Sequence, residues 1–135
     1  MSRRVYLLDT NILLTALIAP ERLPAEVRTW LSQPRNDVFF SAASIWEIAI
    51  KCSLQREGFT FRPEEIHALA LETGFTELAI QSDHGYPIAT MPWHHRDPFD
   101  RMLVAQAQSL PAHLLTTDSV LKRYSELVVV VGLVA

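Results

Sequence analysis

A single cysteine, Cys52, carries all the thiol chemistry of this chain. It excludes an internal disulfide, and a lone thiol inside an apparent helix fits a reducing, cytoplasmic setting. Long apolar runs are missing too. The richest, Leu127 to Val131 with Gly132-Leu133-Val134 behind it, falls well short of the ~20 residues that span a bilayer and suits a buried strand instead. The opening Met1-Ser2-Arg3-Arg4 is basic, but only Val5 to Leu8 follow before Asp9 interrupts, so no signal peptide is expected. A surplus of positive charge is absent: the net charge is −3 and the pI near 5.9. That argues against a general nucleic-acid-binding surface, which is usually basic. It leaves open a local basic rim around an acidic site, where carboxylates acting on phosphates must recruit cations. No linker, repeat or low-complexity stretch divides the chain. A charged fraction of 20% with a mean hydropathy of +0.12 excludes disorder. One domain over residues 1–135 is expected, long enough to bury a single core.

What is present alternates. Val5 to Leu8 is a short apolar run of the kind buried on both faces of a sheet. Asp9-Thr10-Asn11 follows, and Ile12 to Leu17 reads as a helix ended before Pro20. Pro24 to Gln33 is a second helix, Asp37 to Ser41 a second strand and Ala42 to Leu54 a third helix, with Gly58 breaking the pattern. A helix from Arg62-Pro63 to Thr73 is stopped by Gly74, and Phe75 to Ile80 alternates as a strand. Ser82-Asp83-His84 can cap a short helix through Thr90. Asp97-Pro98-Phe99-Asp100 starts a helix to Ser109, with Asp97 as N-cap, Pro98 at the first position and Asp100 at the third. The helix N-terminus is expected to hold Asp100 ionised. His113 to Thr117, a short helix from Asp118 to Tyr124, and Leu127 to Val131 complete the series. Strands alternating with helices imply a parallel sheet with right-handed crossovers, an α/β sandwich.

Four acids fall in equivalent places. Asp9 and Asp118 follow strands, while Glu47 and Asp100 lie near helix starts. Ligand sites in open parallel sheets form outside the carboxyl ends of strands. Each acid alone has an ordinary explanation as a cap, and Ser44-Ile45-Trp46-Glu47 is a formal capping box. Four together repel one another or require a cation. Hard oxygen donors favour Mg²⁺ or Mn²⁺ over zinc, and such ions activate water and neutralise a phosphodiester. Asn11, Ser44, Thr116, Thr10 and Thr117 can supply the hydrogen bonds that ligating carboxylates need. His94 and His95 lack a partner at zinc spacing and read as a loop at the site mouth, with His95 able to reach a substrate phosphate. Arg101 points off the Asp100 face, toward RNA or a neighbouring acid; Arg96, Lys51 and Lys122 default to solvated charge. Trp30, Trp46, Phe39 and Phe40 read as core or partner-facing aromatics, and Trp93, in a Pro-flanked loop, as a stacking or partner-contact residue.

These residues resemble the PIN-domain ribonucleases, most closely the VapC-type toxins of bacterial toxin–antitoxin pairs, over essentially the whole chain. The motifs are Leu7-Leu8-Asp9-Thr10-Asn11, Ser41 through Lys51, His95-Arg96-Asp97-Pro98-Phe99-Asp100-Arg101, and Leu115-Thr116-Thr117-Asp118. The resemblance implies a PIN-like three-layer sandwich with a five-stranded parallel sheet in the order 3-2-1-4-5. It makes Asp9, Glu47, Asp100 and Asp118 a catalytic metal site, supported by Asn11, Ser44 and Thr116, and makes Asp97 a cap. It implies Mg²⁺- or Mn²⁺-dependent endoribonuclease activity, a homodimer, and inhibition by a cognate antitoxin that also binds DNA. The stretch Leu54-Gln55-Arg56-Glu57-Gly58 departs from the Gly-Lys-Leu turn that is usual after Lys51. Two rival readings are a partner-binding α/β module that holds Mg²⁺ without hydrolysis, and a haloacid-dehalogenase-like phosphatase. The phosphatase needs a second Asp where Asn11 stands.

Overall fold

A computed structural model of the chain describes residues 3–54 and 60–135. The expected break at Gly58 and most of the departing stretch after Leu54 lie outside the described residues. Five strands, β1 (Val5–Leu8), β2 (Asp37–Ser41), β3 (Thr76–Leu78), β4 (His113–Thr116) and β5 (Val128–Val130), form one parallel sheet in the order β3-β2-β1-β4-β5. Leu8 at the end of β1 registers with Phe40 of β2 and Leu115 of β4, which aligns the carboxyl ends of the three central strands. Leu7, Leu8, Phe40, Leu114 and Leu115 have no exposed surface, as expected for strands covered on both faces.

The helices are α1 (Thr10–Ile18), α2 (Ala25–Ser32), α3 (Ala42–Ser53), α4 (Pro63–Thr73), α5 (Ser82–Gly85) and α6 (Pro98–Ser109), with single 3-10 turns at Pro20–Arg22, Tyr86–Thr90 and Ser119–Arg123. They split the core in two. Leu8, Ile12, Leu13, Val27, Phe40, Ile48 and Ile66 pack on one side of the sheet, and Leu7, Leu103, Val104, Leu114, Leu121 and Val128 on the other. Gly74 ends α4 at φ 100°, a left-handed cap where a side chain would be strained. None of the described helices is long and apolar enough to cross a membrane.

Three local expectations need correction. α1 starts at Thr10, not Ile12, because Asp9 already caps it. Ser44 and Glu47 form no capping box: Ser41 caps α3 by accepting from Ala43 N at 3.0 Å, so both residues lie inside the helix. The expected helix from Ser82 to Thr90 is one α-turn followed by a 3-10 turn, consistent with Pro87, which cannot donate to a continuing helix. Its cap is Gln81, whose N–H donates to His84 Nδ1 at 2.9 Å.

Candidate metal centre

Asp9 leaves β1 as its backbone N–H donates to Leu115 O at 3.0 Å, so the central sheet itself sets its position. Its side chain, 6% exposed, accepts from Ile12 N at 2.8 Å. Burial pushes its pKa up to about 6 against the opposing pull of the Thr116 hydroxyl and the Ile12 N–H; nearby Glu47 raises it further. Thr10, the next residue, faces α3. Its Oγ1 is 2.6 Å from Glu47 Oε1 and 2.9 Å from Ser44 Oγ. A hydroxyl has one proton, so Thr10 donates to the carboxylate and takes the serine proton. Lys51, one turn along α3, pairs with the other Glu47 oxygen at 3.1 Å. Glu47 is therefore held from both sides.

Asp97 caps α6 by accepting from Phe99 N at 2.8 Å and from Asp100 N at 3.4 Å, as its sequence position implies. Asp100 behaves differently from expectation. Its helix N-terminus favours the carboxylate, but burial outweighs that pull. Burial, then Asp97, Asp9 and Glu47, push its pKa up to about 7, with His95 acting in the opposite direction. Asp118, two residues past β4, caps the Ser119–Arg123 turn by accepting from Val120 N at 3.0 Å, while its own N–H donates to Thr116 Oγ1 at 3.0 Å. His95 Nε2 lies 2.8 Å from Asp118 Oδ2 and 3.5 Å from Asp100 Oδ2. Donor atoms of His95, Asp100 and Asp118 fall within 4.8 Å of one another.

Asp100 thus links two sets near the carboxyl ends of β1, β2 and β4: it lies with His95 and Asp118, and it feels the charges of Asp9 and Glu47, which have Thr116 and Thr10 beside them. Asn11 sits at the rim, where Nδ2 donates to Thr117 Oγ1 at 3.1 Å. Two assignments change. Arg101 is only 3% exposed and cannot serve as an RNA contact: its guanidinium donates inward to the carbonyls of Ile88, Met91, Pro92 and His95. His95 belongs among the acids rather than at the mouth alone, a proximity that pairwise sequence spacing does not reveal because Asp118 is 23 residues away. Trp93 (74% exposed) and Trp46 (60% exposed) flank an apolar hollow of about 360 Å³ also lined by Phe99 and Met102. Trp30 instead stacks on Tyr6 at 5.6 Å. A larger hollow of about 840 Å³, lined by Leu23, Arg28, Val38 and Phe75, contains none of the acids.

The residues fit a hard divalent cation. Carboxylates from four segments, backed by hydroxyls, form an oxygen-rich donor set suited to Mg²⁺ or Mn²⁺. The raised values at Asp9 and Asp100 mark crowded, desolvated negative charge that a cation relieves.

Sheet order and side-chain placement together define an α/β domain with a cluster of acids at the carboxyl edge of its sheet. Residues 6–127 match the family model described as PIN domain, and the chain belongs to that family. Comparison with curated proteins gives no match. Among solved structures, VapBC2 from Rickettsia felis, bound to a DNA fragment from its promoter, superposes with a TM-score of 0.64 at 14% identity, covering 93% of this chain and 96% of that one. FitAcB from Neisseria gonorrhoeae gives 0.59 at 20% identity over 93% and 96% of the two chains. VapBC-1 from nontypeable Haemophilus influenzae gives 0.56 at 20% identity over 89% and 91%. At these identities the likeness establishes the fold.

Proposed function

We propose that the protein is the toxin of a VapBC-like toxin–antitoxin pair, an endoribonuclease that depends on Mg²⁺ or Mn²⁺. The observation that carries this reading is the electrostatic coupling of Asp9, Glu47 and Asp100, drawn from three separate elements, beside Asp118. A capping role explains Asp9 and Asp118 singly; it does not explain gathering Glu47 and Asp100 with them at an energetic cost.

Asp9, Glu47, Asp100 and Asp118 would hold the cation. When bound, it supplies an activated water and neutralises charge on the scissile phosphodiester. The chain's own residues do the remaining work. Thr10, Ser44 and Lys51 fix Glu47 in one rotamer. Thr116 bonds the backbone at Asp118 and lowers the proton affinity of Asp9. Caps at Asp9, Asp97 and Asp118 anchor three of the four segments. The partners in this reading are an RNA substrate, a cognate antitoxin and a second copy of the chain, in the cytoplasm. Neighbours described as VapBC complexes support the antitoxin.

Incubating the protein with structured RNA tests the activity. Cleavage is expected with Mg²⁺ or Mn²⁺ and none with EDTA. Cation binding without cleavage would favour the non-catalytic binding module.

A further inference from the structure

Arg101 is the most fully satisfied buried side chain outside the acid cluster, and the assembly of carboxylates described above does not use it. Nη1 donates to Pro92 O at 2.9 Å, Tyr124 Oη at 3.2 Å and His95 O at 3.3 Å; Nη2 donates to Ile88 O and Met91 O, each at 3.3 Å. The Trp93 ring covers the guanidinium, with Cζ 3.9 Å from its centroid. None of the ion pairs among the described residues includes Arg101. Burying a guanidinium without a carboxylate partner is costly. What it closes is the stretch from Ile88, inside the Tyr86–Thr90 turn, to His95, just ahead of α6.

Tyr124 completes the clamp. Its hydroxyl accepts from His95 N at 2.8 Å and donates to His95 O at 3.3 Å. The His95 backbone is thereby pinned on both its polar groups. Its ring is fixed as well: Nδ1 accepts the Asp97 N–H at 3.0 Å and so carries no proton. The ring proton then sits on Nε2, facing Asp118 at 2.8 Å and Asp100 at 3.5 Å. An Nε2 bearing a proton has no lone pair for a cation. His95 is thus an N–H donor to the acid site although its position is that of a ligand.

We propose that Arg101 and Tyr124 are positioning residues that hold His95 as an N–H donor orienting Asp118 and Asp100 for the cation. This deepens the nuclease reading and rests on it for its functional consequence, while the ring geometry stands independently. Ring ¹⁵N NMR of the metal-free protein tests that geometry: wild type is expected to show one His95 tautomer, protonated at Nε2. Tyr124→Phe, which removes one hydroxyl and keeps the ring, should lose that single tautomer and bind Mn²⁺ about tenfold more weakly. Arg101→Lys should do the same where it folds. His95→Gln, which retains an N–H donor, should keep more Mn²⁺ affinity than His95→Leu. The proposal is overturned by an Nδ1-protonated ring, by a Mn²⁺ electron-spin-resonance spectrum showing a coordinated imidazole nitrogen, or by Tyr124→Phe keeping both tautomer and affinity within twofold. Wild type that shows the tautomer and binds Mn²⁺ but cuts no RNA would sink the nuclease reading alone.

Discussion

The acid pocket has two halves built from the same residue type and held by different means. On the α1–α3 side, neutral hydroxyls and one lysine hold Asp9 and Glu47: Thr10, Ser44 and Thr116 supply short bonds, and Lys51 the counter-charge. On the α6–β4 side, Asp100 and Asp118 face an imidazole and backbone caps. The first half is buried by the sheet. The second is partly open, with Asp118's side chain 36% exposed. Burial leads at both acids; Glu47 adds to it at Asp9, whereas Asp97, Asp9 and Glu47 all add to it at Asp100. Crowding negative charge takes a different support on each side.

Replacing one acid in each half breaks the comparison most forcefully. Asp9→Asn and Asp100→Asn should each lower RNA cleavage at least about 100-fold. A variant retaining near-normal rate would remove its half from the site. The next effect is on stability. Asp9 and Asp100 have folded-state pKa values raised to about 6 and about 7 from 3.8. The fold then binds protons that the unfolded chain has released, so stability in EDTA falls as pH rises from about 4 through 7. Relative to Asp9→Asn, wild type should lose about 1–2 kcal/mol between pH 5 and pH 8 in urea titrations. Equal slopes for the two proteins would contradict the desolvation of Asp9, and Mn²⁺ should recover the loss in wild type alone. Thr10→Val, which leaves Glu47 tied only to Lys51, should weaken Mn²⁺ binding by about tenfold in calorimetry. A fully retained affinity would mean that the hydroxyls organise packing only. Asn11→Ala, at the rim, should change the cleavage rate by about threefold or less; a larger loss would move Asn11 into the site.

Much of this was readable from the chain because local signals agreed. Strand ends at Leu8 and Ser41, the Asp97-Pro98 helix start and the Gly74 stop each combine a cap with a change of hydrophobic period. The order of strands came from the family resemblance, since alternation alone gives a parallel sheet without its sequence of neighbours. Errors arose where a local rule competed with tertiary structure. Ser44 and Glu47 satisfy the capping-box spacing, yet Ser41 lies at the strand exit and caps first, freeing Ser44 for Thr10. The charge of Arg101 suggested RNA or a neighbouring acid, but carbonyls of the segment just before α6 enclose it. His95 showed no sequence partner because its neighbours arrive through the fold. Balances of burial against a helix dipole, as at Asp100, are likewise set only after packing.

The order β3-β2-β1-β4-β5 places the earliest strand at the centre and draws site residues from positions 9, 47, 100 and 118 of 135. β4 must dock on β1 before Asp118 can join the others. The cluster is thus a product of the assembled sheet: no piece of the chain that lacks β4 can bring Asp118 to Asp9.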